Sequence, residues 1–327
     1  MQEYEYVYQV YKEKSFSKAA KNLFISQPAL SATIKKIETK LGVQLFERTT
    51  TSVTLTEAGE AYIDTARKIM ELESDLAVYL EDLSNLNTGR LVLAGTAFFC
   101  SYVIPPVVSA YQKKYPGVTL EMTESDSLLL YDMAGDNDLD LIVDAGRYDT
   151  EKFEGQALFT EHILLAVPEK MVATEHQKSL AFTEEDIRKG RYLREDAKGI
   201  SVREFMDCPF ILLKKEHDLF HKAMGICEEQ GITPESLLHL NQLMTAYSLV
   251  CQGMGVTFVS DTLIRQSRMR ADVVYFKLDV KNPELTEREV FVAYRRNRHV
   301  TRAMRSFIQM AQKVYHNYML EKRDSVI

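Results

Sequence analysis

The chain has 327 residues, 46% hydrophobic and 27% charged, and a formal net charge of −7. That length supports two or three lobes with cores of their own, and the acidic balance excludes a uniformly basic nucleic-acid coat. Charge is uneven, however: residues 12–48 hold eight Lys and Arg against three Asp and Glu, a local +5 that leaves −12 for the remainder.

Such asymmetry points to a local anion-binding end on a body with another task. Cys100, Cys208, Cys227 and Cys251 show no short metal-binding or redox spacing, and separate thiols suit a reducing compartment. The opening MQEYEYVYQVYKEK lacks an apolar signal region, and no run approaches the roughly 18 apolar residues of a membrane span. A cytoplasmic protein is therefore expected, with no membrane partner.

Residues 4–11 place Tyr4, Val7, Tyr8 and Tyr11 on one helical stripe. In SFSKAAKNLF, Ser17 is read as the helix cap, with Ala19, Ala20 and Leu23 inward. Ser26 caps the next helix, and Pro28 fits its first turn because an N–H there has no helical partner. Leu30, Ile34, Ile37 and Leu41 form the inner stripe, and Gly42 ends the helix. Gln27, Ser31, Thr33, Lys35 and Lys36 are left outward. Two short helices, a tight turn and a polar-faced second helix make a helix-turn-helix, whose second helix reads the major groove. FERTTTSVTLTEAG reads as two short strands around a polar tip, with Arg48 placed for a phosphate contact.

Residues 58–86 contain no proline, and Ile69, Leu72, Leu76, Tyr79, Leu83 and Leu86 follow a 3, 4, 3, 4, 3 spacing. That is a coiled-coil seam extending back to Tyr62 and Thr65. A helix of roughly 43 Å with so narrow a stripe calls for a partner alongside it, and a two-fold dimer reads two half-sites.

From Arg90 the texture becomes α/β. RLVLAG, VTLEMTE and LDLIVDAG read as buried strands separated by helical runs, and PFILLKK, SLLHL and GVTFVS repeat the pattern. ALFTEHILLAVPE reads as a strand crossing between two lobes, REVFVAYRR as one returning, and 301–320 as a closing helix. The expected fold is α/β, with an N-terminal winged helix-turn-helix (1–58), a linker or dimerisation helix (59–88) and a two-lobed periplasmic-binding-protein-like effector domain (89–327). Its first lobe takes about 89–160 and 267–327, its second about 161–266. A ligand should sit outside the C-terminal strand ends, where helix N-termini favour anions. The candidate positions are Thr96, Phe98, Cys100, Ser125, Ser127, His217, Asn241 and Gln242.

FSKAA, SQPALS, IKKIE, LGVQLFER and LTEAG occur in order without gaps. This stretch resembles the winged helix-turn-helix of LysR-type transcriptional regulators, and the resemblance extends more weakly through VIPPVVSAYQKKYPGVTLEM, LDLIV and CQGMGVTFVS. It implies a homodimer or homotetramer that binds double-stranded operator DNA under control of a small-molecule effector, an organic acid or metabolite. It carries over Gln27, Pro28 and Ser31 as recognition-helix contacts, beside the cap Ser26, and Lys35 and Arg48 as backbone contacts. Two positions depart: Ala32 and Thr51 stand where the family commonly has basic residues. Thr96 falls where the family often has an effector-binding hydroxyl. Phe98 falls where a second hydroxyl is common, which implies a less polar effector or a cleft partly closed by its own side chain. Residues 170–205 exceed the family's usual length, and no role for them follows from the residues.

No G-x-S-x-G, G-x-x-x-x-G-K-[ST] or H-E-x-x-H occurs. His217 and His221 are four apart on an expected helix with no evident third ligand, so neither a metal, another cofactor nor an enzyme is expected. The alternatives are a solute-binding protein or a small-molecule enzyme on a doubly wound fold. The missing export signal and basic front end weigh against the first, and the lack of a nucleophile–base constellation against the second.

Overall fold

Ser15, rather than Ser17, starts the second helix: its Oγ accepts from the Lys18 N–H at 3.4 Å, and Phe16 already has helical geometry. Ser17 lies exposed on the first turn. The structure is a computed structural model and describes residues 2–48, 53–84, 89–135, 139–267 and 272–324. The chain divides into two units, Met1–Leu83 and Ser84–Ile327.

In the first unit, α1 (Glu3–Glu13), α2 (Phe16–Asn22) and α3 (Gln27–Leu41) pack around one apolar core. Ala19 and Ala20 are buried, and their small side chains let the helices cross closely. On α1 the fully buried residues are Val7 and Val10, so the expected tyrosine stripe is only half-buried. Tyr8 and Tyr11 pack against the core, and the hydroxyls of Tyr4 and Tyr11 meet polar partners on the next long helix. Tyr4 donates to Glu73, which pushes its phenol up to about 12, and Tyr11 accepts from Arg67 at 2.9 Å. A two-stranded wing follows, with β1 (Phe46–Arg48) antiparallel to β2 (Val53–Leu55). The 28-residue α4 (Glu57–Ser84) closes the unit.

Glycine is required at one joint of this unit. A Cβ on Gly59 would lie 2.1 Å from the Leu45 carbonyl oxygen, so α4 can approach the strand entry only without one. On α4, Ile69, Leu72 and Leu76 are solvent-exposed within the single chain. The side chains of Tyr79 and Leu83, and all of Leu86, lie outside the described residues.

The second unit begins with β3 (Gly89–Gly95), a short π-helical turn and α5 (Ile104–Lys114). Next come β4 (Val118–Glu124), α6 (Ser127–Gly135) and β5 (Leu141–Ala145). β3 lies between β4 and β5, parallel to both. β4 is not the buried strand expected: it ends the sheet order, alternates between half-buried and exposed, and leaves Met122 uncovered. The 16-residue β6 (Phe153–Pro168) then crosses the unit.

Beyond the crossing lie α7 (Glu175–Leu180), α8 (Glu184–Arg188), β7 (Phe210–Leu213), α9 (Asp218–Glu229), β8 (Ser236–Leu240) and α10 (Leu243–Cys251). β9 (Thr257–Ser260), α11 (Asp261–Gln266) and β10 (Val273–Lys277) complete that side. β11 (Glu287–Arg295) returns, and α12 (Arg302–Asp324) closes the unit. β11 pairs with the first part of β6, from Arg295↔Phe153 to Glu287↔His162, while β9 and β10 flank the rest, from Ile163 to Pro168. One strand thus serves both halves of a seven-stranded sheet. The expected lobe boundary at 267 put β10 with the first lobe, but its partners are Leu164 to Pro168, in the second half of β6.

Residues 170–205 cover the outer edge of that half. Phe182 bridges Tyr275 on β10, and Ile200 bridges Leu278. Ile187, Tyr192, Val202 and Phe205 are buried beneath the cover. Capping boxes at Thr174 and Thr183 start its two short helices. Its anchor is polar: Tyr192 donates to the buried Asp261, and Arg188 and Arg265 each donate to the other's main-chain oxygen, at 2.5 and 2.6 Å. An otherwise unpaired strand edge is thereby closed.

Candidate functional site

The outward face of α3 is built from its caps inward. Ser26 Oγ accepts from the Ala29 N–H at 3.3 Å, Pro28 occupies the first turn, and Gly42 ends the helix at φ +73°. Leu30, Ile34 and Ile37 are buried, which fixes the helix roll. Leu41, expected on the same stripe, is 45% exposed because the helix ends before its turn meets the core. Ser26, Gln27, Pro28, Ala32, Lys35 and Lys36 are exposed, and Ser31 and Thr33 half-buried. Thr33 already donates its hydroxyl to the Ala29 carbonyl at 3.0 Å, leaving its oxygen as an acceptor. Arg48 ends β1, with its side chain outside the described residues, as is all of Thr51.

One positioning residue on α3 gave no sequence signal of its role. Glu38 Oε1 accepts from the main-chain N–H groups of Leu45 and Phe46, at 2.9 and 3.3 Å, and ties the wing entry to the helix. Its partners are seven and eight residues away, beyond the reach of helical periodicity.

Within the second unit, the strand ends enclose two adjoining chambers. The inner one, of about 60 Å³, is lined by Thr96, Phe98, His217, Asn241 and Gln242 from the expected set. It is also lined by Asp126, Asp144, Asp218 and Arg288, which sequence reasoning missed. Phe98 is buried against Phe99 and Tyr102 and narrows the chamber. The outer chamber, of about 700 Å³, lies between residues 144–153 and the first turn of α9. Asp144, Ala145 and Asp218 line both.

Two expected residues do not line either chamber. Cys100 is buried with Sγ directed at the Gly95 carbonyl, 3.4 Å away, and burial pushes its thiol up to about 11. Ser125 donates its N–H to the same carbonyl at 3.2 Å, joining the ends of β3 and β4. Ser127 begins α6, and its side chain lies outside the described residues. Burial likewise raises the thiols of Cys208, Cys227 and Cys251.

Arg288 is the one Lys or Arg lining the inner chamber among the described residues. It stands opposite Glu161 in the β11–β6 register and donates to it, and its Nη1 lies 4.0 Å from Asp218 Oδ2. No spacing along the chain signals this pair: Arg288 stands between Glu287 and Glu289 on β11, and Glu161 between Thr160 and His162 on β6. His217 is the N-cap residue of α9, in an extended conformation and one position ahead of the helix that carries His221. Burial lowers its pKa and favours the neutral ring. No helix of the described residues is long and apolar enough to cross a membrane.

Residues 1–60 match the family model of the bacterial regulatory helix-turn-helix protein, lysR family, and residues 84–315 match the LysR substrate binding domain. Among curated relatives, the chain is 28% identical over 312 residues to an uncharacterised HTH-type transcriptional regulator, YcgK, of Bacillus subtilis (94% of this chain, 93% of that one). It is 25% identical over 282 residues to the DNA-binding transcriptional dual regulator OxyR of Escherichia coli, 86% of each chain. Among solved structures, full-length CbnR complexed with its target DNA aligns at TM-score 0.60 and 18% identity, covering 96% of this chain and 100% of that one. A full-length OxyR variant from Pseudomonas aeruginosa aligns at 0.60 and 21%, covering 100% and 94%.

Proposed function

The chain belongs to the LysR family of bacterial helix-turn-helix regulators, and on that premise we propose that it is a sequence-specific transcription factor whose binding to operator DNA is set by a small molecule held between its two α/β lobes. The observation that carries this reading is α3: a helix rolled by three buried residues so that Gln27 and Pro28 stand exposed at its capped, proline-started end and Lys35 farther along it. Gln27 and Ser31 are positioned by sequence to read base edges, with Pro28 against the groove floor and Lys35, Lys36 and Arg48 toward phosphates. Ser26 and Thr33 hold the helix start. Dimerisation through α4 is supported by Ile69, Leu72 and Leu76, an apolar stripe that a single chain leaves in water.

The small molecule is bound and not turned over. The inner chamber brings together Thr96, Phe98, His217, Asn241 and Gln242 with Arg288 and three carboxylates. The test is selection of duplexes from a random-sequence pool by the full chain. Enrichment of a motif with two related half-sites is the expected result; recovery of unenriched sequence overturns the reading.

A further inference from the structure

The turn between α2 and α3 carries a side chain that the fold does not use. Phe24 is 96% exposed, the highest fraction for a large apolar residue among the described residues. Its neighbours behave otherwise, because Leu23 and Ile25 pack against the core of the first unit.

The backbone at this position is demanding. The Ile25 N–H donates to the Ala20 carbonyl at 3.0 Å, and the Phe24 N–H to the Lys21 carbonyl at 3.1 Å. That pair of bonds ends α2 in a Schellman motif, whose residue after the cap takes a left-handed conformation. Phe24 takes it, at φ +54°. Glycine or asparagine suits the place, because an ordinary Cβ crowds the following carbonyl oxygen. A bulky ring is thus held where it strains the turn and buries nothing. Folding does not account for it, and a contact outside the chain does.

The surroundings identify the partner. Phe24 lies two residues before Ser26, the N-cap of α3, and three before the exposed Gln27. From Lys14 to Ile37 the chain has five lysines and no acidic residue, a balance that fits a polyanion. In a docked helix-turn-helix the first helix crosses the phosphate backbone and the second enters the major groove by its N-terminus. The turn joining them stands at the lip of that groove. A phenyl ring has no donor or acceptor for phosphates or base edges. The apolar group that varies with sequence in the major groove is the thymine methyl.

We propose that Phe24 is a specificity-determining residue for DNA, its ring set against a thymine methyl at the groove edge. This contact rests on the operator-binding reading above and lies outside the recognition helix itself.

The duplex enriched by the full chain from the random pool is the probe. Deoxyuridine replaces each thymine of one half-site in turn, which removes a methyl and no hydrogen-bonding group. The parent is expected to lose about fourfold in affinity at one thymine, the worth of one buried methyl group. Phe24→Gly and Phe24→Asn remove the ring from both half-sites. They should bind the unmodified duplex about tenfold or more weakly and be indifferent to that replacement. Both should unfold at or above the parent's melting temperature, since both residues fit the left-handed turn. A parent indifferent at every thymine, or a deoxyuridine effect that persists in either variant, overturns the assignment. A lower melting temperature overturns it too, because the ring would then be structural. Variants that bind the duplex as the parent does but fail in transcription with RNA polymerase would give the ring to a protein partner instead. A pool with no enriched duplex removes the regulator reading and this contact with it.

Discussion

Arg288 and Glu161 face each other across the antiparallel register of β11 and β6, and the guanidinium donates to a carboxylate that no water reaches. The pair sits where the crossing strand and the returning strand meet, beside the inner chamber. Removing one member strands the other in a low-dielectric interior.

Arg288→Met alone is therefore expected to destabilise the second unit by about 3–5 kcal/mol, because Glu161 is left as an unpaired buried charge. Glu161→Leu with Arg288→Met should recover most of that loss. Urea titration of both variants checks it, and a double variant as unstable as the single one contradicts the account.

Ser15 and Ser17 separate two descriptions of the same helix. Ser15→Ala should cost about 0.5–1 kcal/mol, the lower part of the capping range because its contact is 3.4 Å long. Ser17→Ala, on an exposed face, should stay within about 0.5 kcal/mol of the parent. Thermal unfolding of the two variants gives the comparison, and the reverse order would restore Ser17 as the cap.

Gln27→Ala should weaken operator binding by about 1–3 kcal/mol and relax the preference at a single base step. Competition between operator and random duplex reads both effects. Equal loss on the two would make Gln27 a backbone contact.

Leu76→Asp places a charge in the exposed stripe of α4 and should separate the protomers. Operator affinity should then fall by about 10²–10⁴-fold as the two half-sites lose their mutual reinforcement. Analytical ultracentrifugation reports the first effect, and a variant that sediments as the parent does would move the interface off α4.

Ala32 is exposed on α3, where relatives commonly carry a cation. Ala32→Arg should steepen log K against log salt by about 0.9 for each phosphate it neutralises. A salt titration with parallel lines for parent and variant would turn this face of α3 away from the DNA.

The amino-acid sequence by itself determined the elements whose causes are local. Ser26, Pro28 and Gly42 bound α3 through capping, a fixed φ and a left-handed end, all within one helical turn of the residues concerned. The alternation of strands and helices, the crossing strand and the returning strand followed from periodicity. For Phe98 the sequence left two readings open, a less polar effector or a ring partly closing the cleft, because its burial against Phe99 and Tyr102 depends on the fold.

Only the tertiary structure decided what meets what. Val10 rather than the tyrosines fills the α1 core, since burial depends on where α2 and α3 lie. β4 became an edge because nothing pairs on its far side among the described residues. Residues 170–205 acquired their role when Phe182 and Ile200 reached β10 and the residue after it, over 75 residues onward. The walls of the cleft, from Thr96 through Asp218 to Arg288, are joined by sheet register across nearly 200 positions. Side-chain spacing along a chain reports only the nearest turn or strand. Contacts made through register and lobe packing depend on every intervening element at once, and so become readable only when the chain is folded.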